Sequence, residues 1–295
     1  MLTLYRGNRA ELLADLLAAQ LRLAPPGPFE PVRVVVNTWP TSRWLGERLA
    51  LGLGDPAEPF AAGVAANLRF PFPGSFLREL VEQVLADGEA AQAGTDPWRA
   101  SELVWPLLEQ LPALIAAPEA LLLRRWLGQR GGESGGRRLD RALWQLARAI
   151  ADAFDDYTLY RPAMLAAWQA GQAVDGAGQP LAREQQWQPL LFRQLADRLP
   201  RPPFGLRVQA AIERLRQAMA SGSTAGAGHT LAMDALALPN PLRLFGLSSM
   251  APLQVELLQA LSGFIDVELY LLTPCRDLWR RRDQAAARPL GEDWL

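Results

Sequence analysis

The chain has 295 residues, enough for one large domain or two ordinary ones, and its 49% hydrophobic content excludes a disordered protein. A formal net charge of -1 supplies no global basic field, so any contact with nucleic acid must come from a local patch. All 30 basic residues are arginine, which removes Schiff-base and phosphate-loop lysines; Cys275 and His229 stand alone in their types, which removes intrachain disulfides and a Cys/His zinc cage. The N-terminus MLTLYRGNRAELLADLL has no signal pattern and no apolar run reaches membrane-spanning length, so a soluble, cytoplasmic chain with no membrane partner is expected.

Leu2–Tyr5 reads as a short strand that turns through Arg6, Gly7 and Asn8 into a helix with Leu12, Leu13, Leu16, Leu17 and Leu21 as its stripe. After the proline-rich connection APPGPFEP, the four valines within Val32–Val36 predict a strand buried on both faces. Asn37, Thr38 and Pro40 break that run. An amphipathic helix follows, with Trp44, Leu45, Leu49 and Leu53 on one stripe. This is the βα unit of an open parallel sheet, and ligands meet such sheets at the carboxyl ends of their strands, here Asn37 to Arg43. Beyond the Gly/Pro-rich stretch 52–63, NLRFPFPGSFLREL (67–80) reads as an extended piece, a Pro-Phe-Pro-Gly turn and a helix N-capped by Ser75.

From about Val81 to Ala220 strand signals vanish. An all-helical excursion is expected there, broken at Gly128–Gly136 and Gly171–Gln179, with Trp98, Trp105, Trp126, Trp144, Trp168 and Trp187 read chiefly as core. Ser221–His229 has the composition of a flexible linker. Strands return at Leu242–Phe245 and Val267–Leu272 around a helix at Pro252–Leu261, so the architecture is one α/β domain with a helical insertion.

Chemistry has few footholds. Asp152, Asp155 and Asp156 share one helix face ahead of Tyr157, Tyr160 and Arg161; they read either as a solvated face or as acceptors for Mg²⁺ or base amino groups. Arg124, Arg125, Arg130, Arg137, Arg138 and Arg141, and Arg280–Arg282, read as solvated runs or phosphate contacts. Gly246-Leu247-Ser248 lacks the second glycine of a nucleophile elbow, since position 250 is Met. Cys275 beside Arg276 has no placed base.

These pieces, in order, resemble a superfamily 1 helicase fold with its chemistry removed. Arg6-Gly7-Asn8-Arg9 stands where that fold carries its phosphate loop, with one glycine and no lysine. NTWPTSRWLGERL (37–49) looks like motif Ia, and Phe72-Pro73-Gly74-Ser75-Phe76 like the next strand-contacting motif, TFHSF. LFGLSSMAPLQVELLQAL (244–261) looks like the Walker B segment, with Phe245 and Gly246 in place of its Asp and Glu. Leu272-Thr273-Pro274 stands at the sensor motif, with Arg276 in place of its glutamine.

An inactivated helicase of this wording is similar to the N-terminal part of the RecC family, the gamma subunits of exodeoxyribonuclease V. Asn8-Arg9, Pro28-Phe29-Glu30-Pro31, Trp44-Leu45, Ala65-Ala66-Asn67, Phe70-Pro71, Ser75-Phe76, Phe154-Asp155, Tyr157, Tyr160-Arg161-Pro162, Pro274-Cys275-Arg276 and Trp279 carry the resemblance. It implies a P-loop-NTPase-like parallel sheet in 1–80 and 236–295 with a helical insertion over 81–235. It also implies a non-catalytic subunit that splits duplex ends and scans the 3′ strand for the recombination signal Chi. RecB and RecD would be its partners, using ATP and Mg²⁺, with no cofactor in this chain. The DNA-contacting residues implied are Asn37, Thr38, Trp39, Arg43, Phe72, Ser75, Arg78, Asp152, Asp155 and Arg161; Arg43 and Arg161 would meet phosphates or guanine edges, and Trp39 would stack a base. A live ATPase, a helical scaffold without DNA contact and an AddB-type subunit are the alternatives.

Overall fold

A computed structural model describes residues 1–27, 29–54, 63–86, 95–130, 141–222 and 238–273. His229, Cys275, Trp279, Arg137, Arg138 and Arg280–Arg282, and most of the expected linker, lie outside the described residues. The chain divides into two compact units: residues 1–80 with 236–250 and 258–295, and residues 81–235 with 251–257.

The first unit is α/β. Strands β1 (Leu2–Gly7), β2 (Val32–Val36), β3 (Leu68–Arg69), β4 (Leu242–Phe245) and β5 (Val267–Leu272) form one parallel sheet in the order β1-β5-β4-β2-β3. Val34, Val35 and Val36 are all buried, as a strand covered on both faces requires. One face receives α1 (Ala10–Leu23) and α2 (Trp39–Gly52), whose Leu13, Leu17, Leu45 and Leu49 join Val34, Val36, Phe245 and Tyr270 in a single core.

The stripe of α1 is rotated from the all-leucine one expected. Leu12 and Leu16 are exposed, while Ala14 and Ala18 are buried beside Leu13 and Leu17. Small side chains let α1 approach α2 closely, and a Cβ on Gly52 would come 2.7 Å from the Ala18 methyl. Aromatic rings run across the same face: Tyr5 stacks on Tyr270 at 4.9 Å between centroids, Tyr270 on Phe245 at 6.0 Å, and Phe245 meets Trp44 at 6.1 Å. The Tyr270 hydroxyl contacts Gln20 and lies 3.0 Å from Glu268 Oε2, which also accepts from Arg243 Nε at 3.0 Å, so this buried polar group is satisfied.

Helix α3 (Pro73–Leu85) starts two residues earlier than the sequence suggests. Proline at the first position fits, because its fixed φ is helical and its missing N–H would have had no partner. Ser75 is therefore no N-cap; its hydroxyl donates back to the Phe72 carbonyl at 3.1 Å from inside the first turn. Helix α10 (Pro252–Leu261) falls where expected.

The second unit is helical among its described residues: α4 (Ala100–Ala116), a 3₁₀ turn (Pro118–Ala120), α5 (Leu121–Arg130), α6 (Arg141–Tyr160), α7 (Pro162–Gln169), α8 (Trp187–Arg198) and α9 (Phe204–Gly222). Helix α6 buries Ala142, Leu146, Ala147, Ile150, Ala151, Phe154 and Thr158, a spacing of three and four that defines one face. It stops at Tyr160 because Pro162 disfavours helical backbone at Arg161 and opens α7 itself. Trp98, Phe154, Trp168 and Phe192 form the aromatic centre of the core, with neighbouring ring centroids 5.2–6.5 Å apart.

Arg207 is buried in this unit. It contacts Glu82, donates to Asp96 Oδ2 at 2.6 Å, and lies over the Phe204 ring. A Cβ on Gly205 would overlap the Thr158 carbonyl oxygen, so α9 begins where only glycine lets it meet the end of α6. No single described helix is long and apolar enough to cross a membrane; α4 and Pro118–Gly128 qualify only when joined, and they are bent by 100°.

Candidate nucleic-acid interface

In the first unit every connection that resembles a helicase motif leaves the carboxyl edge of the sheet. Gly7-Asn8-Arg9 follows β1, Asn37-Thr38-Trp39 follows β2, Gly246-Leu247-Ser248 follows β4 and Thr273 follows β5. After β2 the chain moves outward to β3, and after β4 it moves back towards β1. The carboxyl ends of β2 and β4 therefore flank the switch point of the sheet, where open α/β sheets bind ligands.

Two features bear on nucleotide chemistry at that edge. Only Asn8 and Arg9 separate β1 from α1, too few backbone N–H groups to wrap a chain of phosphates. Gly246, at the position resembling the Walker B glutamate, has φ 68°. A side chain there would sit in left-handed backbone, at a cost of about 1–2 kcal/mol. The arrangement resembling a nucleotide site thus lacks both its lysine and a backbone suited to its acid.

The polar turn after β2 is ordered by local bonds. Thr38 N-caps α2, accepting from the Thr41 amide at 3.3 Å, and its hydroxyl meets that of Thr41 at 2.8 Å. Asn37 is exposed, and Trp39 projects with 73% of its surface exposed. The turn after β3 runs alongside, since the Val36 amide donates to the Pro71 carbonyl at 3.1 Å. Phe72, 39% exposed, thus leaves the same edge as Trp39. Arg43 is exposed and pairs with Glu47 at 3.2 Å, one turn along α2. Arg78 is half-buried in α3, further from the edge than Ser75.

In the second unit Asp152, Asp155 and Arg161 come near the end of α6. Asp152 and Asp156 are exposed, as a solvated face requires. Asp155 is turned inward, where its Oδ2 accepts from the Ala100 amide at 3.1 Å and caps α4. The three carboxylates therefore do not share one face, because tertiary packing gave Asp155 an orphan helix donor to satisfy. The described residues contain no group of three His, Cys, Asp or Glu side chains suited to a metal.

Arg161 is exposed and its guanidinium rests over Gly176, where a Cβ would overlap Nη1. Gly176 belongs to a tight loop in which Asp175 Oδ1 accepts the Ala177 and Gln179 amides at 2.9 and 2.8 Å and Trp168 Nε1 donates to Val174 at 2.6 Å. Spacing alone did not reveal that Arg161 has a fixed seat; the Asp-Gly pair of Asp175-Gly176 was its sequence signal. Reading all six tryptophans as one class also hid an exception. Trp98 and Trp168 are buried, Trp126, Trp144 and Trp187 are partly buried, and Trp105 is 59% exposed.

Comparison with known proteins bears on the whole chain. The family described as RecC, N-terminal domain, matches residues 2–292. RecBCD enzyme subunit RecC of Mycobacterium tuberculosis (strain ATCC 25618 / H37Rv) is 34% identical over 281 residues, covering 95% of this chain and 23% of the relative. The protein of the same name from Escherichia coli (strain K12) is 29% identical over 283 residues, covering 95% and 22%. The one from Haemophilus influenzae is 26% identical over 287 residues, covering 95% and 24%. The chain thus spans about a quarter of the length of the curated relatives it matches.

Proposed function

The chain belongs to the RecC N-terminal domain family, and from that premise we propose that it is the non-catalytic DNA-handling part of a RecBCD-type helicase–nuclease in double-strand break repair. The observation that carries the reading is the shared carboxyl edge, where segments resembling five helicase motifs converge without the groups that hydrolyse ATP. The first unit would be the P-loop-like 1A half of an inactivated superfamily 1 helicase, and the second its 1B-like helical insertion. RecB and RecD would supply ATP- and Mg²⁺-dependent translocation, and RecB the nuclease. This chain would need no cofactor of its own and would act in the cytoplasm.

On this reading the strand would meet Trp39 and Phe72 by stacking, Asn37, Thr38 and Ser75 by hydrogen bonding, and Arg43, Arg78 and Arg161 by charge. Asp152 would accept from a cytosine amino group. Asp155 would act through the α4 cap, holding the end of α6 rather than touching DNA. Those segments would then guide the 3′ strand and scan it for Chi. The local cap roles of Thr38 and Asp155 favour the second reading, a scaffold that makes no DNA contact.

The deciding experiment uses the full-length subunit, co-expressed with RecB and RecD from the same source. Blunt-duplex unwinding should require this subunit, and Arg43→Ala or Arg161→Ala should alter Chi-dependent cleavage while leaving unwinding nearly intact. Unwinding that is indifferent to the subunit would leave the scaffold.

A further inference from the structure

One aromatic pair in the helical unit reaches from the core, where Trp144 packs, to the surface. The 59% exposed indole of Trp105 on α4 meets Trp144 of α6 edge-on, with centroids 5.6 Å apart and planes at 61°. Arg141 and Arg148 stand three residues before and four residues after Trp144, so both neighbour it on the helix surface. Both are exposed, and among the described residues neither has a hydrogen-bonding or carboxylate partner. Glu109, one turn along α4 from Trp105, is engaged with Arg198 at 3.7 Å. Among the described residues the two guanidinium groups are thus unengaged, and they stand seven residues or about 10 Å apart along α6. The positive end of that helix lies at Arg141 and adds to their field.

We propose that Trp105 and Trp144 with Arg141 and Arg148 form a contact for single-stranded DNA, in which an unstacked base lies on the Trp105 indole and the flanking phosphates meet the two arginines. An exposed ring flanked by exposed cations is what sequence-tolerant strand binding uses. An apolar protein partner would bury the ring but would strand both charges. The inference rests on the DNA-handling reading and extends it along α6. Asp152 follows Trp144 by eight residues, about 12 Å along the same helix, so a strand that reaches one end of α6 can continue onto the other.

The test is anisotropy of a labelled oligothymidylate on the full-length subunit in complex with its partner subunits, across a salt series. Trp105→Ala should weaken binding roughly 5- to 150-fold, and Trp105→Phe should recover most of that loss. Arg141→Gln with Arg148→Gln should flatten the dependence of log K on log salt by about 1.4, roughly 0.7 for each lost phosphate contact. Wild-type binding with both variants unchanged overturns this site and leaves the general reading standing. Loss of the partner subunits from Trp105→Ala, with oligomer affinity unchanged in the complex that remains, makes the pair a protein-docking surface and overturns it as well. A wild-type complex that ignores the oligomer overturns the DNA-handling reading and this site with it.

Discussion

Asp96→Asn gives the sharpest test of how the helical unit is held together. Asp96 and Arg207 are 6% and 7% exposed, and Asp96 uses one oxygen for Arg207 Nη2 at 2.6 Å and the other for the Trp98 amide at 3.1 Å. Removing one member of a buried pair costs about 3–5 kcal/mol, because the remaining charge is left uncompensated. Two features bring the estimate to the low end. Glu82 still faces Arg207, and asparagine keeps the shape and one acceptor. The expected cost is therefore about 3 kcal/mol, which lowers the melting temperature by roughly 6–12 °C for a unit of this size. Thermal unfolding with hydrogen exchange read over Phe204–Gly222 measures it. Arg43→Gln, which opens only the exposed pair with Glu47, is the control and should change stability by less than about 0.5 kcal/mol. A cost below about 1 kcal/mol would refute the buried-charge account.

Gly176→Ala should displace the Arg161 guanidinium without removing its charge, because the added methyl occupies the position of Nη1. Arg161 is exposed, so the melting temperature should stay within error, and under the proposed strand-scanning role Chi-dependent cleavage by the assembled complex should change in the direction of Arg161→Ala; an unchanged cleavage pattern would refute the positioning role. Burial first, and then the Glu268 carboxylate, push the Tyr270 phenol well above its ordinary value of 10.0. The folded chain then keeps a proton that the unfolded chain releases, so this stabilisation is complete below pH 10 and is lost as pH rises beyond it. Tyr270→Phe should cost about 1 kcal/mol at neutral pH and flatten the alkaline fall in melting temperature between pH 9 and 11; an identical fall in both proteins would refute the assignment.

Much of the fold follows from local pattern. The valine run of β2, the apolar strands β4 and β5, and the leucine–alanine period of the helical stretch are statements about which side of a segment avoids water. Those statements survive whatever the segment packs against. The absence of lysine is equally local, since a residue missing from the sequence is missing in any fold. The pattern even gave the βα turn at Asn37 to Arg43 as the edge from which Trp39 projects.

What periodicity does not contain is the identity of the neighbour. Strand order, with β5 set between β1 and β4, is decided by pairing across more than two hundred residues. The choice of Ala14 and Ala18 over Leu12 and Leu16 was made by how closely α2 approaches α1. Asp152 and Asp155 are alike in sequence. They differ in the fold only because the amide of Ala100 arrives beside one of them. Trp105 and Trp98 likewise read the same along the chain, yet one lies exposed beside Trp144 and the other is buried against Phe192. A side chain's role depends on the free energy of the group it meets, and that group is set by tertiary packing.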